Sequence, residues 1–125
     1  MRKRVFGRQF NRTKRGRTAL FRSLVHTLVV NGKINTTETK AKALQQEVDK
    51  LFQLLRKNTL ASRRTMVSRL GNDVATVDTL FKNYMTLADS RTSGFTSITK
   101  LEERRGDNTR MAVIELIKDE NDTHK

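Results

Sequence analysis

Arginine and lysine side chains carry most of the chemistry this sequence can do. The stretch MRKRVFGRQFNRTKRGR at 1–17 holds Arg2, Lys3, Arg4, Arg8, Arg12, Lys14, Arg15 and Arg17 and no acidic residue. A guanidinium fork matches phosphate oxygens two at a time and stacks on bases. Each phosphate neutralised by such a cation releases counterions, so binding that rests on these residues weakens as salt rises. A solubilising tail need not be all of one sign, so nucleic acid is the favoured partner. Phe6 and Phe10 interleave with these cations. They could stack on unpaired bases, as aromatics do in single-strand RNA sites. They could equally tuck into the body of the protein as anchors, and the sequence leaves both readings open.

Other candidate chemistries are thin. His26 and His124 are the only histidines and the chain has no Cys. His26 falls on the polar side of a helical stripe, where RNA contact and solvent exposure both suit it. No His/Glu pair has metal spacing, no glycine-rich phosphate loop is present, and two such histidines support no Ser/His/Asp arrangement. Glu102-Glu103 reads as strand, where adjacent carboxylates face opposite ways. Arg105-Gly106-Asp107 resembles an adhesion tripeptide, but Asn108 follows it and turn chemistry accounts for it. The residues therefore point to no enzyme, cofactor, metal or small-molecule substrate.

These residues need a scaffold of limited size. The chain has 125 residues, 35% of them hydrophobic, enough for one thin core. Net charge is +13, a self-repulsion that a polyanion would screen. The charge is uneven: beyond position 17, eighteen basic residues face thirteen acidic ones. A nearly balanced domain thus carries a basic arm. No apolar run approaches a membrane span. No signal-peptide h-region is read, and Gly7 and Gly16 argue against the amphipathic helix of a transit peptide.

The arm, 1–17, shows no period and reads as extended, ordering only on its partner. A helical stripe follows at Leu20, Phe21, Leu24, Val25, Leu28 and Val29, with Thr18 as N-cap and Asn31-Gly32 as stop. Lys33-Ile34-Asn35 reads as a short strand. Thr36 or Thr37 caps a long helix to about Lys57, with Glu38 favourable to its dipole. Thr59 caps a shorter helix that Gly71 stops. Asp73 caps a helix running through Val74, Val77, Leu80, Phe81, Tyr84 and Ala88. SRTSGF reads as a loop. Two strands around RGDN follow, the second with Ala112, Ile114 and Leu116 on one face. Residues 118–125 read as a polar tail. The expected fold is α+β, about four helices on a small sheet: arm 1–17, one globular domain 18–117, tail 118–125.

Four stretches, GRQFNR at 7–12, LFRSLVHTLV at 20–29, INTTETKAKALQQEVDKL at 34–51 and GDNTRMAVIEL at 106–116, resemble in order and spacing the bacterial-type large-subunit ribosomal proteins of the L-seventeen family. The resemblance runs from Met1 to about Ile117. It implies a structural constituent of the large ribosomal subunit that binds ribosomal RNA in translation. It also implies a cytoplasmic ribosomal location near the polypeptide exit tunnel, beside other large-subunit proteins. In fold it implies that residues 33–37 join the late hairpin as a third strand. Arg2, Arg4, Gly7, Arg8 and Arg12 match the family's basic opening and are assigned RNA contact. Thr36, Thr37 and Lys40 match a segment suited to phosphate, and Gly94-Phe95-Thr96 matches a late loop. The chain departs from the family pattern at Lys3, where His is common, and at Ser97, where a basic residue is common.

The combined reading is an arm threaded into folded RNA, with Arg22, Lys40, Arg63, Arg64, Arg91 and Arg105 as a second contact surface. A DNA-binding architectural protein is the alternative; it would need a groove-reading helix or a minor-groove wedge. An adaptor for acidic proteins is a further rival.

Overall fold

A computed structural model of the chain describes Arg8 and residues 10–117. Arg2, Lys3, Arg4, Phe6 and the tail 118–125 lie outside the described residues. Helix α1 spans Lys14–Asn31. Its cap lies five residues before the one expected from sequence. Thr13 is the cap, its hydroxyl accepting from the Gly16 N–H at 3.2 Å, while Thr18 lies within the helix and donates to the Lys14 carbonyl. The last four residues of the expected arm are therefore helical. No period announced them, because this first turn packs little apolar surface and is held by its cap. Gly32 closes α1 in the left-handed region, φ 80°, with its N–H on the Leu28 carbonyl.

Strand β1, Lys33–Thr37, buries Ile34 and Thr36 alternately. Thr37 then caps α2, Glu38–Lys57, accepting from the Lys40 N–H, and Glu38 sits in the first turn. Ala41, Leu44, Val48, Leu51, Phe52 and Leu55 form the buried stripe of α2. Asn58 ends it at φ 49°. Helix α3, Leu60–Arg69, begins with a reciprocal Thr59/Ser62 capping box.

Asp73 caps α4, Val74–Asn83. The single helix expected to run on from there is broken: α5, Met85–Ser90, starts afresh after Tyr84, whose φ is −118° and ψ 6°. No Pro or Gly marks the break. It is tertiary in origin. The Tyr84 ring stands edge-on to Phe52 at 6.2 Å, and its hydroxyl donates to the Val29 carbonyl at 3.4 Å. The described chain thus has five helices where about four were expected.

Strands β2, Thr96–Lys100, and β3, Met111–Leu116, complete an antiparallel sheet of order β1-β3-β2. Ile34 and Ile98 both face Ile114 in the register, so residues 33–37 are indeed the third strand. Ala112, Ile114 and Leu116 are buried together. Glu102-Glu103 falls in the exposed β2–β3 connection rather than in a strand. One core cluster runs from α1 to β3, with Phe52 stacked on Phe95 at 4.6 Å.

Gly71 follows α3 at φ 69°. A Cβ added there would lie 3.2 Å from the Arg22 side chain, whereas one at Gly32 would meet nothing within 4 Å. A left-handed non-glycine residue costs about 1–2 kcal/mol. Gly32→Ala should lose about that much in urea denaturation, and Gly71→Ala measurably more. Introducing Gly71→Ala into an Arg22→Ala background should remove the excess. Equal losses at both glycines would show that Arg22 does not press on this turn.

Candidate nucleic-acid interface

The cations gather at the start of α1. Its first turn contains Lys14, Arg15 and Arg17 and no acidic residue. Cations at a helix N-terminus oppose the macrodipole. Among the described residues none of the three is ion-paired, although one carboxylate, Glu47, lines the cleft beside them and faces Lys50. The fully buried residues of α1 are Val25, Leu28 and Val29. Its N-terminal half therefore projects beyond the tightest part of the core and presents Lys14 and Arg15 outward, with Arg17 half-buried.

The described end of the arm is fastened to this edge. Arg8 donates to the Thr39 carbonyl in the first turn of α2, 2.9 Å away. Phe10 meets Phe21 of α1 edge to face, centroids 5.8 Å apart. This contact is the one the anchor reading of Phe10 expects. Phe10 and Asn11 both lie in the left-handed region, φ 52° and 54°, turning the chain sharply from α2 toward α1. A bulky residue there is strained, and the Phe21 contact offsets that strain. Arg12 donates to the Phe10 carbonyl and Arg17 to the Arg12 carbonyl. Each of these bonds uses one of several guanidinium donors and leaves the others for a further partner.

Arg8, Phe10, Lys14, Arg17, Phe21, Arg22 and Arg69 line a cleft of about 690 Å³ between the arm, α1, α2 and the end of α3. Arg69 was read from sequence as a basic residue of this last helix but not assigned RNA contact. Its signal is only its place in the last turn of α3, which the fold brings beside α1.

The second contact surface divides. Arg64 and Arg105 are exposed, with no hydrogen-bond or ion-pair partner among the described residues. Arg22 instead serves the fold: its Nε donates to the Arg69 carbonyl at 3.0 Å, closing α3. Arg63 pairs with Asp78 and lies over the Phe81 ring at 5.1 Å, joining α3 to α4. Arg91 donates to the Gly94 carbonyl. Thr36 is 8% exposed, so its side chain belongs to the core face of β1. Thr37 is occupied as the cap of α2, and Lys40 is half-buried beside it.

The carboxylates mostly serve the fold. Glu38 is held below its ordinary value, first by the hydrogen bond from Lys42, with Lys100 and Arg110 adding charge and burial opposing. Asp107 is lowered by Arg104 and Thr109 in the tripeptide turn, so it is Arg104, not Arg105, that this turn engages. His26 Nδ1 lies 3.0 Å from Asp73 and 2.7 Å from the Thr76 hydroxyl. Its role is thus to tie α1 to the start of α4, a contact that sequence gave no means of finding. Among the described residues no group of His, Asp and Glu could hold a metal, and no helix is long and apolar enough to cross a membrane.

Comparison with known proteins agrees with this picture of a charged scaffold. The family described as Ribosomal protein L17 matches residues 20–117. A large ribosomal subunit protein bL17 of Persephonella marina is 45% identical over 118 residues, covering 94% of this chain and 95% of its own. Relatives of the same description from Mycoplasmopsis pulmonis and Chloroflexus aurantiacus are 43% and 42% identical, covering 86% and 94% of this chain and 94% and 100% of their own. These similarities define a structural, non-enzymatic protein of the large ribosomal subunit, acting in translation. Within that class, the chain belongs to the ribosomal protein L17 family.

The α4 cap generates a pH prediction. The Asp73 carboxyl is held below its ordinary 3.8 first by the Thr76 hydroxyl, with burial opposing and the Thr76 N–H and His26 helping. A lowered folded value means the stabilisation is fully present above 3.8 and is lost as pH falls through the folded value below it. Asp73→Ala should cost about 1 kcal/mol at neutral pH by loss of the cap. It should also flatten the fall in melting temperature between about pH 4 and pH 2. An unchanged acid limb in thermal scans would remove Asp73 from the acid response.

Proposed function

We propose that this protein binds large-subunit ribosomal RNA through its basic arm and the first turn of α1, with exposed cations of the body as a second surface. The observation that carries the reading is the uncompensated charge: Lys14, Arg15 and Arg17 occupy the α1 N-terminus with no acid in that turn, and Arg8 is pinned beside them. Phosphates are the natural counter-charge where RNA helices crowd together. The partition into arm, body and tail belongs to this proposal.

The body contributes Lys40, Arg64, Arg69 and Arg105, while Arg22 and Arg63 act through the fold. Recognition works by RNA shape and single-stranded elements rather than by duplex base edges. A site beside the polypeptide exit tunnel, next to other ribosomal proteins, follows from the family resemblance. The DNA-binding alternative has less support, because the long helices α1 and α2 are committed to the core on one face.

Cross-linking of assembled large subunits, with the RNA-bearing peptides mapped, tests the assignment. Most protein–RNA cross-links should fall within residues 2–17. A majority within residues 60–90 would contradict the arm's role.

A further inference from the structure

The cleft beside α1 is built for more than phosphate. Its floor includes the buried Val25, Leu51 and Leu70. Phe10 and Phe21, packed edge to face, both line it. Arg8, Lys14, Arg17, Arg22 and Arg69 also line it, against one carboxylate, Glu47, which faces Lys50 at 3.8 Å. A bare phosphate has no use for the aromatic rings and apolar floor. A neutral apolar ligand leaves the cations without a counter-charge. The ligand that satisfies both is flat, aromatic and anionic.

Size narrows it further. About 690 Å³ lies within the ~300–1,000 Å³ of small-ligand clefts. That admits a base with its sugar and phosphate and excludes a paired helix. Phe10 is held at φ 52°, a conformation bulky residues avoid and one that collects at ligand clamps. The exposed Gln46 also lines the cleft, and its amide offers both a donor and acceptors to a base edge.

We infer that this cleft receives one unpaired nucleotide of the bound RNA, its base beside Phe10 and Phe21 and its phosphates against Lys14, Arg17 and Arg69. The inference rests on the ribosomal RNA reading above. It is distinct in naming the element received, a single splayed base held by stacking as well as by charge.

The test uses the full chain in assembled large subunits and the ribosomal RNA they contain. Ultraviolet cross-linking should join a peptide containing Phe10 or Phe21 to one unpaired base. Two variants block the site differently. Phe21→Leu removes the ring, and Gln46→Trp fills the cleft from an exposed position on α2. Each should abolish that cross-link and raise chemical modification of the same base roughly 10-fold, and Gln46→Trp, which leaves the Phe10–Phe21 anchor intact, should keep the protein on the subunit through its arm. If the variants and the wild type show identical base modification, no nucleotide occupies the cleft and the inference fails, with the arm reading intact. A cross-link here to another protein, with no base affected, overturns it equally. Wild-type protein that binds no ribosomal RNA sinks the underlying reading instead.

Discussion

Like-charge repulsion along the first 37 residues is the constraint around which this structure is arranged. Ten lysines and arginines precede Glu38, the first carboxylate of the chain. Helix α1 has no acidic residue along its length. The fold handles this by sinking only the Val25–Val29 end of α1 fully into the core and leaving the cationic end at the periphery. Carboxylates are spent where they hold the body together: Glu38 between Lys42 and Lys100, Asp73 at the head of α4, Asp78 against Arg63, Asp107 in its turn. Surface pairs of this kind contribute little stability each. Their larger effect is on charge distribution, because they pair mostly with cations of the body, and among the described residues Lys14, Arg15 and Arg17 have no ion pair.

The same division explains how a thin core suffices. One core cluster gathers buried residues from α1, β1, α2, α3, α4, α5 and β3, and within it Phe52 stacks on Phe95 with Tyr84 edge-on. The sheet closes chain segments far apart in sequence, Ile34 against Ile114. The body is fixed by apolar contacts and caps that ask little of the N-terminal edge. That edge is free to be specified by its partner, and the strained Phe10–Asn11 reversal sets its direction.

Local chemistry was legible in the sequence, and long-range contacts were not. Thr37, Thr59 and Asp73 as caps and Gly32 as a stop are properties of a few adjacent residues, and the structure has each in that role. The apolar stripe of α2 could be read for the same reason. The start of α1 was misplaced because Thr13 caps a turn with almost no apolar period. The break at Tyr84 depends on Phe52 and Val29, more than thirty and fifty residues away. Arg22, Arg63 and His26 looked like free surface groups; their partners, on α3, α4 and the α4 cap, lie 15 or more residues along the chain. The arm's excess charge was visible at once. Which cations face outward together was not.

The central claim is that the uncompensated cations of the arm and α1 meet RNA phosphates. The salt dependence of binding between the full chain and large-subunit ribosomal RNA tests it most directly. With eight arm cations in contact, the plot of log affinity against log salt should have a slope of about −6 to −7. Replacing Lys14, Arg15 and Arg17 together by Gln should make that slope shallower by about 2 to 3. A slope near zero, or one that these replacements leave unchanged, would contradict the account.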